Sequence, residues 1–288
     1  MNETKIFKPR VKAPDPALIE RTDTVLRRHS LTTVCEESAC PNRAECYQRG
    51  TATFMILGDT CTRACRFCNV KTGRGAPPDP EEPGRVAAAV RDLGLRYVVV
   101  TSVDRDDLSD YGSGHFAAVV EAIRREAPGV KIELLTPDFR GNQAALDTVI
   151  AAAPDKLAHN EETVRRLSPT VRPQSDYDRS LAVLRYYAKR FDGPVKSSLM
   201  AGLGESAEEL IESMGDLYAA GVRELTLGQY LQPTPRHAPV VRYHPPEFFE
   251  RMKAAALELG FEAVASGVLV RSSYYAERLG APLEAKNN

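Results

Sequence analysis

Six cysteines lie at positions 35, 40, 46, 61, 65 and 68 of a 288-residue chain, and there are no others. The second group, Cys61-Thr-Arg-Ala-Cys65-Arg-Phe-Cys68, has C-x3-C-x2-C spacing with an aromatic, Phe67, before its last cysteine. Three thiolates on one tight loop can hold three irons of a [4Fe–4S] cluster, whose full ligation takes four. With no seventh cysteine, the fourth iron stays open, and a substrate or cofactor can coordinate there. The first group, Cys35, Cys40 and Cys46, has C-x4-C-x5-C spacing and the same deficit of one thiol. A Cys3His zinc site is the alternative. His29 is distant and precedes the second group, and no C-x-H or H-x3-H pattern accompanies it. Disulfides suit small secreted domains. Residues 1–30 instead mix Lys5, Lys8, Arg10 and Lys12 with prolines and lack the apolar stretch of a signal peptide, so the cytosol is the expected compartment.

The elements that must position these cysteines follow from periodicity. Strands are expected at Thr53–Leu57, Tyr97–Thr101, Lys131–Leu135, Lys156–His159, Val195–Met200 and Glu224–Tyr230. The unbroken apolar run Tyr97-Val98-Val99-Val100 reads as a parallel strand covered on both faces. Helical stripes lie between the strands: Val86, Val90 and Leu93; Tyr177, Leu181, Leu184 and Ala188; Leu210, Met214 and Leu217; Phe248, Met252, Ala255 and Leu259. Ser206 and Glu209 have capping-box spacing, Gly221 stands where a helix should end, and Pro245 or Pro246 can open the next. A short helix is expected over Pro16–Arg28 within an amino-terminal arm, and Gly73–Gly84 reads as a loop. Six alternating units call for an α/β fold with a parallel sheet, either open or an incomplete barrel, with its functional face at the carboxyl ends of the strands. The second cysteine group begins at that end of the first strand.

Composition narrows the functional classes. With 38 basic and 39 acidic residues the net charge is −1, which argues against a mainly electrostatic nucleic-acid binder. No apolar run approaches the ~20 residues of a membrane span. Hydrophobic residues at 43% and charged residues at 27% are globular values.

The C-x3-C-x2-C motif after the first strand resembles that of the radical S-adenosylmethionine (SAM) superfamily. The preceding C-x4-C-x5-C makes the chain similar to the lipoyl synthase family. The likeness runs over roughly residues 30–276. It includes Gly50–Gly58, Thr101-Ser-Val-Asp-Arg-Asp-Asp107, Pro137-Asp-Phe-Arg-Gly141, His159-Asn160, Leu225-Thr-Leu-Gly-Gln-Tyr-Leu-Gln-Pro233 and Arg271-Ser-Ser-Tyr274.

The resemblance implies a radical-SAM-type incomplete (β/α)6, TIM-like barrel over 51–262. An amino-terminal extension (1–50) and a carboxyl-terminal one (263–288) would close its mouth. It implies a [4Fe–4S] cluster on Cys61, Cys65 and Cys68 that binds and cleaves SAM, releasing a 5′-deoxyadenosyl radical. A second, sacrificed [4Fe–4S] cluster would sit on Cys35, Cys40, Cys46 and Ser273. Without the resemblance, Ser272 and Ser273 read as hydroxyls bonding local backbone at a turn. Phe67 would lie near the adenine. Asn160 and Glu162 would bind the ribose, and Met200 and Gly202 would belong to the strand beside the adenine. In that strand Ser198 stands where the superfamily has glycine, which puts the backbone role of that position in doubt. His159 is expected to be a structural hydrogen-bonding residue. The run Asp104–Asp107 reads as a solvated loop, with the catalytic face as its other possible role.

The implied reaction inserts two sulfur atoms, at carbons 6 and 8, into an octanoyl chain on a lysine of a carrier, with two SAM molecules used per product. The carrier would be the lipoyl domain of a 2-oxoacid dehydrogenase or the glycine-cleavage H protein. The implied partners are an electron donor such as ferredoxin or flavodoxin and an iron–sulfur carrier that rebuilds the cluster, with no nucleic acid and no membrane. Three competing readings differ in recognisable ways. A dicluster electron carrier would have full cysteine ligation. A methylthiotransferase would add an RNA-binding domain. A biotin-synthase-like enzyme would lack the amino-terminal triad.

Overall fold

The computed structural model describes residues 16–34, 40, 42–48, 51–274, 276–277 and 279; Cys35 lies outside the described residues. A two-residue strand β1 (Thr32–Thr33) pairs antiparallel with β2 (Thr51–Ile56). β3 (Thr60–Cys61) and β4 (Lys71–Thr72) form a separate parallel pair that brackets the second cysteine loop. The remaining strands are β5 (Tyr97–Ser102), β6 (Lys131–Leu135), β7 (Lys156–Ala158), β8 (Val195–Ala201), β9 (Glu224–Gln229) and β10 (Ala263–Gly267). The large sheet has the order β1-β2-β5-β6-β7-β8-β9-β10, and every neighbouring pair after β1 is parallel.

Strand order follows chain order without reversal, so the sheet winds one way and its helices lie on one side. That choice between open sheet and barrel was not available from periodicity. The two faces are distinct. Val98 and Val100 join the main core under the helices, whereas Tyr97 and Val99 pack with Ala276 of the carboxyl-terminal segment. Seven parallel strands form where six were expected. β10 falls in the segment set apart as 263–288, so the first residues of that segment belong to the sheet.

The helices obey their local signals. Ser206 and Glu209 form a reciprocal capping box on the helix Ala207–Ala219. Gly221 follows it at φ 94°, a conformation that favours glycine. Pro246 opens the helix Pro246–Glu258, whose buried residues are Phe248, Phe249, Met252 and Ala256; Ala255 and Leu259 are only half-buried. In the helix Tyr177–Arg190, Tyr187 completes the buried stripe and Ala188 is exposed. Pro16–Arg28 is helical. The helix Glu82–Leu93 begins inside the expected Gly73–Gly84 loop, with Pro83 in its first turn. No helix among the described residues is long and apolar enough to cross a membrane.

Charged residues occupy the concave face near the strand starts, which apolar patterning does not anticipate. Lys196 pairs with Glu133, and Lys156 Nζ lies 2.5 Å from Glu224 Oε2. The Tyr97 hydroxyl donates to Glu133 at 2.8 Å. The carboxyl-terminal segment reaches this layer. Lys156 donates to the Leu279 carbonyl at 3.1 Å and the Thr51 hydroxyl to Glu277 at 3.2 Å. Glu277 and Leu279 therefore lie on the concave face near the strand starts.

Candidate active site

Cys61 ends β3, and the loop to Cys68 is fixed by hydrogen bonds to three other segments. The Thr62 amide donates to the Asp104 carbonyl at 3.0 Å, that of Arg66 to Val171 at 2.8 Å, and that of Ala238 to Arg66 at 2.8 Å. His237 Nε2 donates to the Cys68 carbonyl at 2.9 Å. Amides of Arg63 and Asp104 point at Cys61 Sγ, 3.4 and 3.3 Å away. Cys61, Cys65, Phe67 and Cys68 line one cavity of about 270 Å³ with Thr53, Met55, Asp138, Asn160, Glu162 and Ser273. An adjoining cavity of about 380 Å³ is walled by Cys40, Phe67, Cys68, Asn160, Glu162, Ser198, Met200, Tyr230 and Ser273. Gly202 lines neither cavity. It turns the chain at the end of β8 with φ 112°, where a Cβ would strike the Gln229 side chain and come 2.6 Å from the Arg242 carbonyl oxygen.

The thiols suit a polynuclear cluster. Burial first, then Asp104, pushes Cys61 up to about 11. Burial also pushes Cys65 up to about 12, with Asp104, Cys68 and Cys61 adding to it against the opposing pull of Arg172. Such a trio ionises together only with positive charge among the sulfurs, which a metal cluster supplies. A [4Fe–4S] cluster binds its thiolates at separate irons.

The Asp104–Asp107 run is not a solvated loop. Arg63, between two of the cysteines and 4% exposed, binds Asp106 through two bonds of 2.8 Å, Asp138 at 2.6 Å and Asp104 at 3.3 Å. Arg179 adds a 2.7 Å bond to Asp138, and Arg140 one to Asp106. These guanidiniums hold Asp138 well below the usual carboxylate range despite its burial. Phe139 and Arg140, at φ 44° and 54°, store backbone strain beside that carboxylate. Arg105, 2% exposed, forks onto Asp107 at 2.9 and 3.0 Å.

Asn160 and Glu162 follow β7. Glu162, at φ 69°, is pinned to β8: its amide donates to Ser198 at 2.9 Å, and its carbonyl accepts from Met200 at 2.8 Å. Asn160 Nδ2 donates to Glu162 Oε1 at 3.0 Å, while Asn160 Oδ1 is buried on the cavity wall without a partner among the described residues. An orphaned acceptor beside a carboxylate suits a hydroxyl-bearing ligand. Beside them, Arg172 donates to the Glu161 carbonyl at 2.6 Å. His159 Nδ1 donates to the Thr136 carbonyl at 2.9 Å, and its Nε2 accepts from the Ser180 hydroxyl at 3.0 Å, the structural role expected of it.

The first cysteine segment meets the carboxyl-terminal one. Asn42 donates to the Leu269 carbonyl at 2.5 Å, and the Tyr274 hydroxyl to Glu45 at 3.1 Å. Cys40 lies on the same cavity wall as Ser273, with its thiol pushed up by burial and pulled back in part by Arg271. Cys46, half-buried in the helix Arg43–Gln48, lines neither cavity. Gly228 permits the approach, because a Cβ there would collide with the Val270 carbonyl. Neither Ser272 nor Ser273 bonds local backbone through its hydroxyl among the described residues, contrary to the turn-cap alternative. Arg63, Asp138 and Arg172 were not singled out as site residues; the places of Arg63 inside the cysteine loop and of Asp138 in the Pro137–Gly141 stretch were the signals available.

This barrel, with three thiols at the carboxyl end of its first strands, defines a class. The model of the Radical SAM superfamily matches residues 55–217, and the chain belongs to that superfamily. Its barrel is shared with solved structures such as methylornithine synthase (TM-score 0.52, 17% identity, 94% of this chain and 90% of that one). The [FeFe]-hydrogenase maturase HydG also shares it (TM-score 0.59, 12% identity, 88% and 57%). At the finer level, the lipoyl synthase of Thermus thermophilus is 56% identical over 274 residues, 93% of this chain and 85% of the relative. That of Haemophilus influenzae is 50% identical over 282 residues, 96% and 88%. The chain is a member of the lipoyl synthase family.

Proposed function

We infer that this chain inserts two sulfur atoms, at carbons 6 and 8, into an octanoyl chain borne on a lysine of a lipoyl carrier protein. The observation that carries this reading is the packing of the Cys40–Cys46 and Leu269–Tyr274 segments against each other, beside the Cys61–Cys68 loop. An enzyme that only cleaves SAM has no use for that second assembly. Cys61, Cys65 and Cys68 hold one [4Fe–4S] cluster; Cys35, Cys40, Cys46 and Ser273 hold the other. When bound, SAM and the clusters supply the radical and the sulfur that an unactivated C–H bond requires and no side chain can provide. Phe67 and Met200 flank the adenine, Asn160 and Glu162 take the ribose hydroxyls, and Gly202 shapes the turn behind them. Segment 1–50 and the part of 263–288 that follows β10 act as covers on the core. The carrier is a 2-oxoacid dehydrogenase lipoyl domain or a glycine-cleavage H protein. A ferredoxin or flavodoxin donates electrons, an iron–sulfur carrier restores the spent cluster, and the compartment is the cytoplasm.

Alanine at Cys61, Cys65 or Cys68 should abolish both SAM cleavage and sulfur insertion. Alanine at Cys35, Cys40 or Cys46 should spare part of the SAM cleavage and stop sulfur insertion. Equal loss of SAM cleavage from both sets would overturn the two-role assignment.

A further inference from the structure

The segment 61–78 carries Arg63, Arg66, Lys71 and Arg74 and no Asp or Glu; the segment 229–246 carries Arg236 and Arg242 and likewise no Asp or Glu. On a chain of net charge −1 these are local concentrations of positive charge. The two segments are stitched together at the mouth by the Ala238–Arg66 and His237–Cys68 bonds. Both also wall the larger cavity, through Phe67 to Val70 and Gln229 to Pro233. Arg63 is buried among its aspartates, and Lys71 pairs with Asp59 at 2.6 Å. Arg66, Arg236 and Arg242 are exposed, and among the described residues none pairs with a carboxylate. Arg140, Arg165 and Arg166, also exposed, are paired with Asp106, Asp178 and Glu209, and the charge of Arg74 acts on Asp107. The Arg66 backbone accepts from Ala238 and its charge reaches the Tyr230 phenol, while the Arg242 carbonyl accepts from Gln229, the residue before Tyr230, at 2.9 Å. With Arg236 next to His237, whose ring donates to the Cys68 carbonyl, the three arginines lie on the two segments that wall the same cavity.

We propose that Arg66, Arg236 and Arg242 form the docking surface for the acyl carrier, and that the carrier presents acidic side chains around its acylated lysine. This rests on the sulfur-insertion reading and adds to it the face on which the partner lands and the charge it carries. Unpaired guanidiniums keep their attraction for an incoming carboxylate, and rim charges act mainly on encounter and salt dependence. The acyl-lysine arm then enters between the two segments, past Tyr230 and Pro233.

The test compares the parent enzyme, reconstituted with its clusters, with the double variant Arg236→Glu, Arg242→Glu and with the corresponding double lysine variant. Each is given an octanoylated acidic lipoyl domain or, separately, a short uncharged octanoyl-lysyl peptide. In the glutamate variant, KM for the domain should rise ~10-fold or more at low ionic strength and approach the parent value in high salt. kcat on the domain and turnover of the peptide should stay at parent levels, and the lysine variant should behave as the parent. An unchanged KM for the domain, or an equal loss on the peptide, overturns the proposal. Overturning it equally would be tight binding of single-stranded RNA by the parent that the glutamate variant loses, with domain kinetics unaffected. If the parent modifies neither domain nor peptide, it is the sulfur-insertion reading that fails.

Discussion

Ser273 lines the same cavity as Cys40, and its hydroxyl oxygen is a harder donor to iron than thiolate. Three thiolates suffice to retain a [4Fe–4S] cluster, as the SAM-binding site itself requires. Ser273→Ala should therefore keep most of its iron and its SAM cleavage while lipoyl product falls sharply. Product at the parent rate would remove the serine from the mechanism. His159 gives a second prediction. Its two hydrogen bonds fix a neutral tautomer, and burial lowers it to about 4. As pH falls, the unfolded chain takes up that proton first, near pH 6.5. The contribution is thus complete above about pH 6.5 and is lost progressively down to about pH 4, at most ~3 kcal/mol. His159→Gln should flatten the denaturant-midpoint profile across that window, and an unaltered slope would contradict the assignment. At this scale the cysteines were legible because their chemistry is encoded in local spacing. The Arg63–Asp138 contact was not, because 75 positions separate the two residues and only the barrel brings them together.

At the scale of elements, β9 shows how one residue without a side chain sets a distant loop. A Cβ on Gly228 would overlap the Val270 carbonyl and come 3.3 Å from Arg271 Nη1. Gly228→Ala must push the 269–274 turn off the sheet and carry Ser273 with it. The expected result is SAM cleavage near the parent level with lipoyl product reduced at least as much as in Ser273→Ala, measured in the same assay. Parent-level product from Gly228→Ala would show that the turn tolerates the shift. Six of the seven parallel strands were readable from apolar runs. β10 was not, because Ala263-Val-Ala-Ser-Gly267 is built of small, half-buried residues with little strand signal. The Lys and Glu residues at the starts of β6 to β9 carried no signal either, since each looks exposed until its partner on another strand is known.

At the scale of the molecule, the segments around Asn42 and Leu269 converge on one barrel mouth, and Glu277 and Leu279 lie on the concave face, bonded to Thr51 and Lys156. The resemblance implied such closure, but composition and periodicity did not, because an arm has no periodicity until it has a surface to lie on. This convergence is the ground on which the proposed function gives the first cysteine group a part in the reaction. The most direct measurement is mass analysis of an octanoyl-lysyl peptide after anaerobic incubation with the reconstituted enzyme, SAM and a strong reductant. The account predicts a product that has gained two sulfur atoms, located at carbons 6 and 8, with two 5′-deoxyadenosines formed per product. Release of 5′-deoxyadenosine with the octanoyl chain unchanged, or with sulfur at any other carbons, would contradict it.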